Sequence, residues 1–210
     1  MTKRILWGVG SSRALRAHWA LVFLGIDYEI RPILTRTPAM ATPEYRAVNP
    51  RGKIPTLVDG DLTVTESPAI VNYLAERYST RERRLIPEAI EQRALYFEWM
   101  SFISMELDAT SLYVLRRHEG LPEIYSPAPE ACLAARAYFE RMINAAAVRL
   151  EDGRRYLLGE EFFGVDILMT TCLDWAVNYG LGLPEAFVNY RERIDGEAST
   201  ALAHLANAPT

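Results

Sequence analysis

Residues 53–68 read Lys-Ile-Pro-Thr-Leu-Val-Asp-Gly-Asp-Leu-Thr-Val-Thr-Glu-Ser-Pro. Two short apolar runs, Ile54–Asp59 and Leu62–Val64, flank Gly60-Asp61, a pair suited to the tight turn of a β-hairpin. Ser67 then suits a helix N-cap, and Pro68 suits the first helical position, where a missing N–H goes unnoticed. Ile70, Val71 and Leu74 follow on one face, so Pro68–Tyr78 reads as a helix packed inward.

Upstream of the hairpin, a polar, proline-containing stretch holds Thr42–Val48, which fits one short helix. Tyr28–Leu34 reads as a strand. From Ser12 the period is helical: Leu15, Trp19, Val22 and Phe23 share a face, and Gly25 ends the helix as glycine commonly does after a last turn. Arg4–Val9 is a short strand closed by Gly10. The order βαβ, then ββ, then α predicts an α/β domain over residues 1–80, with a four-stranded sheet and helices packed on it. Its first crossover is expected to be parallel and right-handed.

Downstream the strand signals stop. Ser79–Pro87 is charged, ends in proline and reads as a linker; the cluster Arg81–Arg84 within it reads as solvated. Three long helical periods follow: Leu95, Trp99, Phe102, Ile103 and Leu107; Ala135, Phe139, Met142, Ile143, Ala146 and Leu150; and Leu168, Cys172, Trp175 and Ala176. An all-α domain over 81–210 is expected.

Composition narrows the function. Half the residues are hydrophobic and 24% are charged, an ordinary globular balance. Net charge is −4, which argues against a nucleic-acid surface. No apolar run approaches the roughly 20 residues of a membrane span. The opening MTKRILWGVG lacks a signal-type apolar core, so a cytoplasmic location is expected. Cys132 and Cys172 lie far apart in helical patterns, and read as buried thiols with neither a disulfide nor a redox pair. His18, His118 and His204 lack metal-ligand spacing, and His18 reads as packed in its helix, so no metal is expected.

Three segments carry chemistry. Ser11-Ser12-Arg13 stands where a strand becomes a helix, and unpaired N–H groups there carry partial positive charge. Ser11 reads either as a simple N-cap or as a hydroxyl that bonds an anion beside the helix end. Ile54-Pro55 opens a strand; the bond reads as an ordinary trans proline or as cis, the latter leaving the Ile54 main chain open to an extended peptide. Glu66 stands directly before the Ser67 cap, where a carboxylate can hold an ammonium while the helix end holds a carboxylate. That combination matches one amino-acid head group.

Gly52-Lys53-Ile54-Pro55-Thr56-Leu57, with Glu66-Ser67 eleven residues after Pro55, resembles the glutathione-binding half of the cytosolic glutathione transferases. SSRALRAHWAL resembles the catalytic stretch of the serine-type classes, most like the zeta and tau forms, and LLGEEFFGVDILMTTCLDWA matches the helical half. The resemblance implies a thioredoxin-like domain followed by an all-α domain, and a cytoplasmic detoxification enzyme. By it, Ser11 donates to the glutathione sulfur, Ile54 after Lys53 pairs with the cysteinyl backbone, and Pro55 is cis. Glu66 and Ser67 take the γ-glutamyl head group, and Lys53 reaches toward the glycyl carboxylate. It places Val9, Met105, Leu112, Tyr113 and Arg116 on the side of a small apolar electrophile, between the domains. It also implies a homodimer, the α/β domain of one subunit against the helical domain of the other.

Two positions depart from the pattern. Arg13 stands where zeta enzymes carry cysteine, which weakens a maleylacetoacetate isomerase reading. Phe163 stands three residues before Asp166, where a Ser or Thr cap is usual. Two alternatives remain beside the transferase: a glutathione-dependent isomerase or lyase, and a non-catalytic binding module of the same fold.

Overall fold

The computed structural model describes residues 3–209. The chain divides into two units, residues 3–86 with 195–209, and residues 87–194.

The first unit opens with β1 (Arg4–Trp7), α1 (Ser12–Leu24) and β2 (Glu29–Arg31). A 3-10 turn at Pro38–Ala41 leads to α2 (Pro43–Val48), whose Thr42 cap accepts from the Tyr45 N–H. The hairpin β3 (Thr56–Asp59) and β4 (Leu62–Thr65) precedes α3 (Ser67–Tyr78). The sheet order is β2-β1-β3-β4; β1 runs parallel to β2 and antiparallel to β3. Asp59 pairs with Leu62 across the turn, where Gly60 takes φ 61°. This is the expected βαβ-ββα arrangement.

The predictions for β1, β2 and β3 ran long. Pairing continues past Trp7 through Gly8 N–H to Arg31 C=O and Val9 N–H to Ile33 C=O, both at 3.0 Å. Gly8, at φ 111°, breaks the regular strand geometry there while the pairing runs on to Val9. Alternation along the strands builds two layers. Leu6 and Leu57 are fully buried, as are Trp19, Ile70, Val71 and Leu74, and α1 packs on α3. Trp7, Ile33, Tyr45 and Ile54 form a separate cluster with Met40 and Val48 of the connecting segment.

The second unit holds one long helical run: α4 (Ile90–Phe102), a π-helix (Ile103–Leu112) and α5 (Tyr113–His118). After it come α6 (Pro122–Tyr125), α7 (Pro129–Ala147), α8 (Gly164–Asn178) and α9 (Glu185–Asp195). Leu95, expected on the buried face, is exposed; Tyr96 takes the inward position with Trp99, Met100 and Ile103. Cys132 and Cys172 are buried free thiols.

The last helix, α10 (Ala198–Ala206), packs on α1 in the first unit. The Trp19 indole N–H donates to Ser199 Oγ at 2.9 Å, and Thr200 and Ala203 are buried. Assigning everything past residue 80 to the helical domain therefore differs from the observed grouping. Leu85 and Ile86, in the stretch read as a linker, are also buried in the first unit. Among the described residues no helix is long and apolar enough to cross a membrane.

Candidate active site

The turn from β1 to α1 is built around two glycines and a serine. Ser11 is the N-cap of α1, with extended φ −139° and ψ 152°, and its Oγ accepts the Ala14 N–H at 3.1 Å. A hydroxyl that accepts through oxygen keeps its own proton to donate elsewhere. Gly8 packs so tightly on Ile54 that a Cβ there would stand 2.5 Å from the Ile54 Cβ. This contact ties the Ser11 turn to the loop before β3.

His18 fastens the turn from within α1. Its Nε2 lies 3.0 Å from the Gly8 C=O and its Nδ1 2.8 Å from the Tyr28 hydroxyl. Burial lowers its pKa, outweighing the carbonyl bond that raises it, so the ring is neutral at pH 7. A carbonyl only accepts, so Nε2 carries the proton and Nδ1 accepts from Tyr28. Burial also pushes the Tyr28 phenol up to about 12.

The loop before β3 is held by buried polar groups. The Lys53 C=O accepts from Asn49 Nδ2 at 2.8 Å and from the Tyr45 hydroxyl. Thr56 Oγ1 stands 3.0 Å from both of those groups. The Ile54-Pro55 bond is cis. Among the described residues neither the N–H nor the C=O of Ile54 has a hydrogen-bond partner.

Glu66 joins β4 to α3 at φ 69°, a left-handed conformation that costs a non-glycine residue about 1–3 kcal/mol. Its C=O accepts the Ile70 N–H, the first bond of α3. Its exposed carboxylate meets Arg51 Nη1 at 3.2 Å, and Arg51 also donates to Thr65 Oγ1. Ser67 is buried at the head of α3, with Arg16 Nη1 3.4 Å from its Oγ.

Comparison with known proteins gives the family of this chain. A family model for the glutathione S-transferase N-terminal domain matches residues 10–77. A glutathione S-transferase of Triticum aestivum is 31% identical over 180 residues, covering 84% of this chain and 79% of the relative. This chain belongs to the glutathione S-transferase family. A zeta-class glutathione S-transferase of Euphorbia esula is 34% identical over 164 residues, 76% of this chain and 69% of that one. Among solved structures, the theta-class glutathione S-transferase of Xanthomonas axonopodis pv. citri, with glutathione bound, aligns at TM-score 0.78 and 27% identity over all of both chains.

Within this transferase the sequence motifs fall into the first unit: Ser11 heads α1, Ile54 and Pro55 precede β3, Glu66 and Ser67 open α3, and Lys53 is exposed. Of the residues expected on the electrophile side, Val9 and Leu112 are fully buried, Met105 is exposed, and Tyr113 and Arg116 are half-buried. Among the described residues no cluster could hold a metal ion.

Sequence reasoning missed the groups that hold these residues in place. Arg51 pairs with Glu66, and Tyr45, Asn49 and Thr56 anchor the Lys53 carbonyl. Arg16 did carry a signal, because a buried charge stands beside Leu15 and one turn from Trp19 on the apolar face.

Proposed function

We propose that Ser11 donates its hydroxyl proton to the sulfur of bound glutathione and holds that sulfur as thiolate for attack on a small, largely apolar electrophile. One observation carries this reading. Ser11 Oγ is already capped as an acceptor by Ala14 N–H, so its proton is available at the positive end of α1, in a turn seated on Ile54. The cap role and the catalytic role coexist on one side chain.

The rest of the tripeptide follows the same first unit. The unpaired Ile54 N–H and C=O suit the cysteinyl backbone, laid alongside as an added strand after cis Pro55. Glu66 takes the γ-glutamyl ammonium, and Ser67 with the head of α3 takes its carboxylate. Exposed Lys53 reaches the glycyl carboxylate. On the electrophile side, Val9 is buried in the first unit; in the second, Met105 is exposed, Tyr113 and Arg116 are half-buried and Leu112 is buried. The protein works as a cytoplasmic homodimer in detoxification.

The energetics are sufficient. A free thiol titrates near ~8.5, and only the thiolate is strongly nucleophilic. Lowering that value by about 2 units needs roughly 2.7 kcal/mol of preference for the anion. One hydrogen bond to a charged group supplies about 1.5–3 kcal/mol, and a helix end about 0.3–1. Serine keeps its proton throughout. The thiol proton goes to solvent, the thiolate forms the C–S bond, and a leaving group departs with its electron pair.

The test separates the two roles of Ser11. Ser11→Ala removes cap and donor, costing about 1 kcal/mol of stability, whereas Ser11→Gly keeps most of the capping preference without a donor. Both variants are expected to raise the pKa of bound glutathione, read from thiolate absorbance against pH. If the thiol titrates as in the wild type in both, the serine assignment is wrong.

A further inference from the structure

The segment that follows α10 returns to the turn that presents Ser11. Asn207 ends α10 with its N–H bonded to the Ala203 C=O at 3.0 Å. Its own C=O and its side-chain Oδ1 both accept the Gly10 N–H, at 2.8 and 3.1 Å. Its Nδ2 donates to the Ser11 C=O at 3.3 Å, beside the helical bond that the same carbonyl accepts from the Leu15 N–H at 2.9 Å. One amide thus spans the two residues of the turn. Pro209 lies against the same place: a Cβ on Gly10 would stand 3.3 Å from Pro209 Cγ and 2.8 Å from Leu34 Cδ2.

We propose that Asn207 is a positioning residue for Ser11. The inference rests on the role assigned to Ser11 above. Gly10, at φ 70°, is the softest backbone position in the turn, since glycine occupies both signs of φ with little preference. Gly8 on the far side is held by His18 and by the ladder to Arg31. On the Ser11 side, Asn207 supplies the bonds that fix the Gly10 N–H and orient the Ser11 carbonyl. A hydrogen bond to a developing anion is sensitive to donor placement at the level of about 0.5 Å and 10–20°. Loss of Asn207 lets the Ser11 peptide rotate and loosens the direction of its hydroxyl. Packing of α10 on α1, through Trp19–Ser199 and buried Thr200 and Ala203, brings the amide to this spot.

The experiment titrates the thiolate absorbance of glutathione bound to saturation. It uses Asn207→Ala and Asn207→Leu, each alone and combined with Ser11→Ala, with thermal midpoints recorded in parallel. Leucine keeps the volume and the main-chain bond to the Gly10 N–H but lacks the two side-chain hydrogen bonds, and it carries the test if the alanine variant does not fold. Both single variants are expected to raise the thiol pKa by at least about 0.3 unit, a roughly twofold loss of thiolate below the pKa. They should raise it no further once Ser11→Ala is present. Asn207→Gln, which retains both amide functions, is expected to restore part of the shift. An unchanged pKa in a folded Asn207 variant, while Ser11→Ala raises it, overturns the Asn207 role alone. An equal rise with or without Ser11 also overturns it, because the effect would then bypass the hydroxyl. A Ser11→Ala protein with an unshifted thiol sinks the Ser11 assignment itself.

Discussion

At the scale of single residues, the site is made of side chains with two duties. Ser11 caps α1 through its oxygen and, in the proposed function, donates its proton to the glutathione sulfur. Glu66 starts α3 through its carbonyl while its carboxylate stands exposed beside Arg51, in a backbone conformation that glycine adopts without strain. Strain retained at such a position points to function, and it can be tested as a trade. Glu66→Gly relieves about 1–3 kcal/mol of strain and removes an exposed ion pair worth about 0–1. Thermal stability is therefore expected to hold or rise. Glutathione binding should weaken by more than about 1 kcal/mol, since the head-group ammonium loses its partner. Calorimetric titration with glutathione checks this, and an unchanged Kd would remove Glu66 from the binding set. Ser11, Pro55, Glu66 and Ser67 were legible as a motif because their spacing is fixed along the chain. Arg51 and Tyr45 were not, because their partners are chosen by the way loops fold back.

At the scale of elements, α1 and α8 each bury a titratable group, with opposite pH signatures. Asp166, at the third position of α8, accepts from the Phe163 N–H at 2.8 Å, the Leu157 N–H at 2.9 Å and the Tyr190 hydroxyl at 2.7 Å. Phe163 offers no side-chain oxygen in return, so half of a capping box does the work. Burial outweighs those three donors and pushes the Asp166 carboxyl up to about 6. Its folded pKa thus exceeds its unfolded value of about 3.9, and the folded state holds the extra proton between the two. This group's contribution to stability rises as pH falls from about 6 toward about 4, by roughly 3 kcal/mol at most. His18 has the reverse sign. Burial lowers its folded pKa below the unfolded value of about 6.5, so its contribution is lost as pH drops below that value. Urea midpoints at pH 7.5 and 5 should therefore move further apart in Asp166→Asn, which no longer offsets acid destabilisation, and closer together in His18→Gln. A pH response identical to wild type in either variant would dismiss that residue as a source. The π-helix Ile103–Leu112 belongs to this scale too. Its apolar spacing reads as an ordinary helix, because i→i+5 bonding leaves no distinct mark in a sequence.

At the scale of the whole molecule, the chain returns to its start. The helix α10 rejoins the first unit after the whole of the second, and its end reaches the Ser11 turn. The proposed homodimer is tested here as well. Sedimentation at micromolar concentration is expected to give about twice the chain mass of 23.8 kDa, and a single-chain mass would overturn that proposal.

Hydrophobic period, breakers and capping residues determined the sheet with its helices, the hairpin at Gly60 and the all-helical second half, and motif resemblance singled out the serine, proline and acid of the proposed site. Those signals are local, each read within a dozen residues, and the chain keeps them wherever its elements pack. The tertiary structure alone decided that α10 packs on α1, that His18 and Asn207 hold the two ends of one turn, and that Arg16 and Arg51 reach the head of α3. Such pairings join residues up to 197 positions apart. They follow from which apolar faces bury one another, and no local pattern encodes that choice.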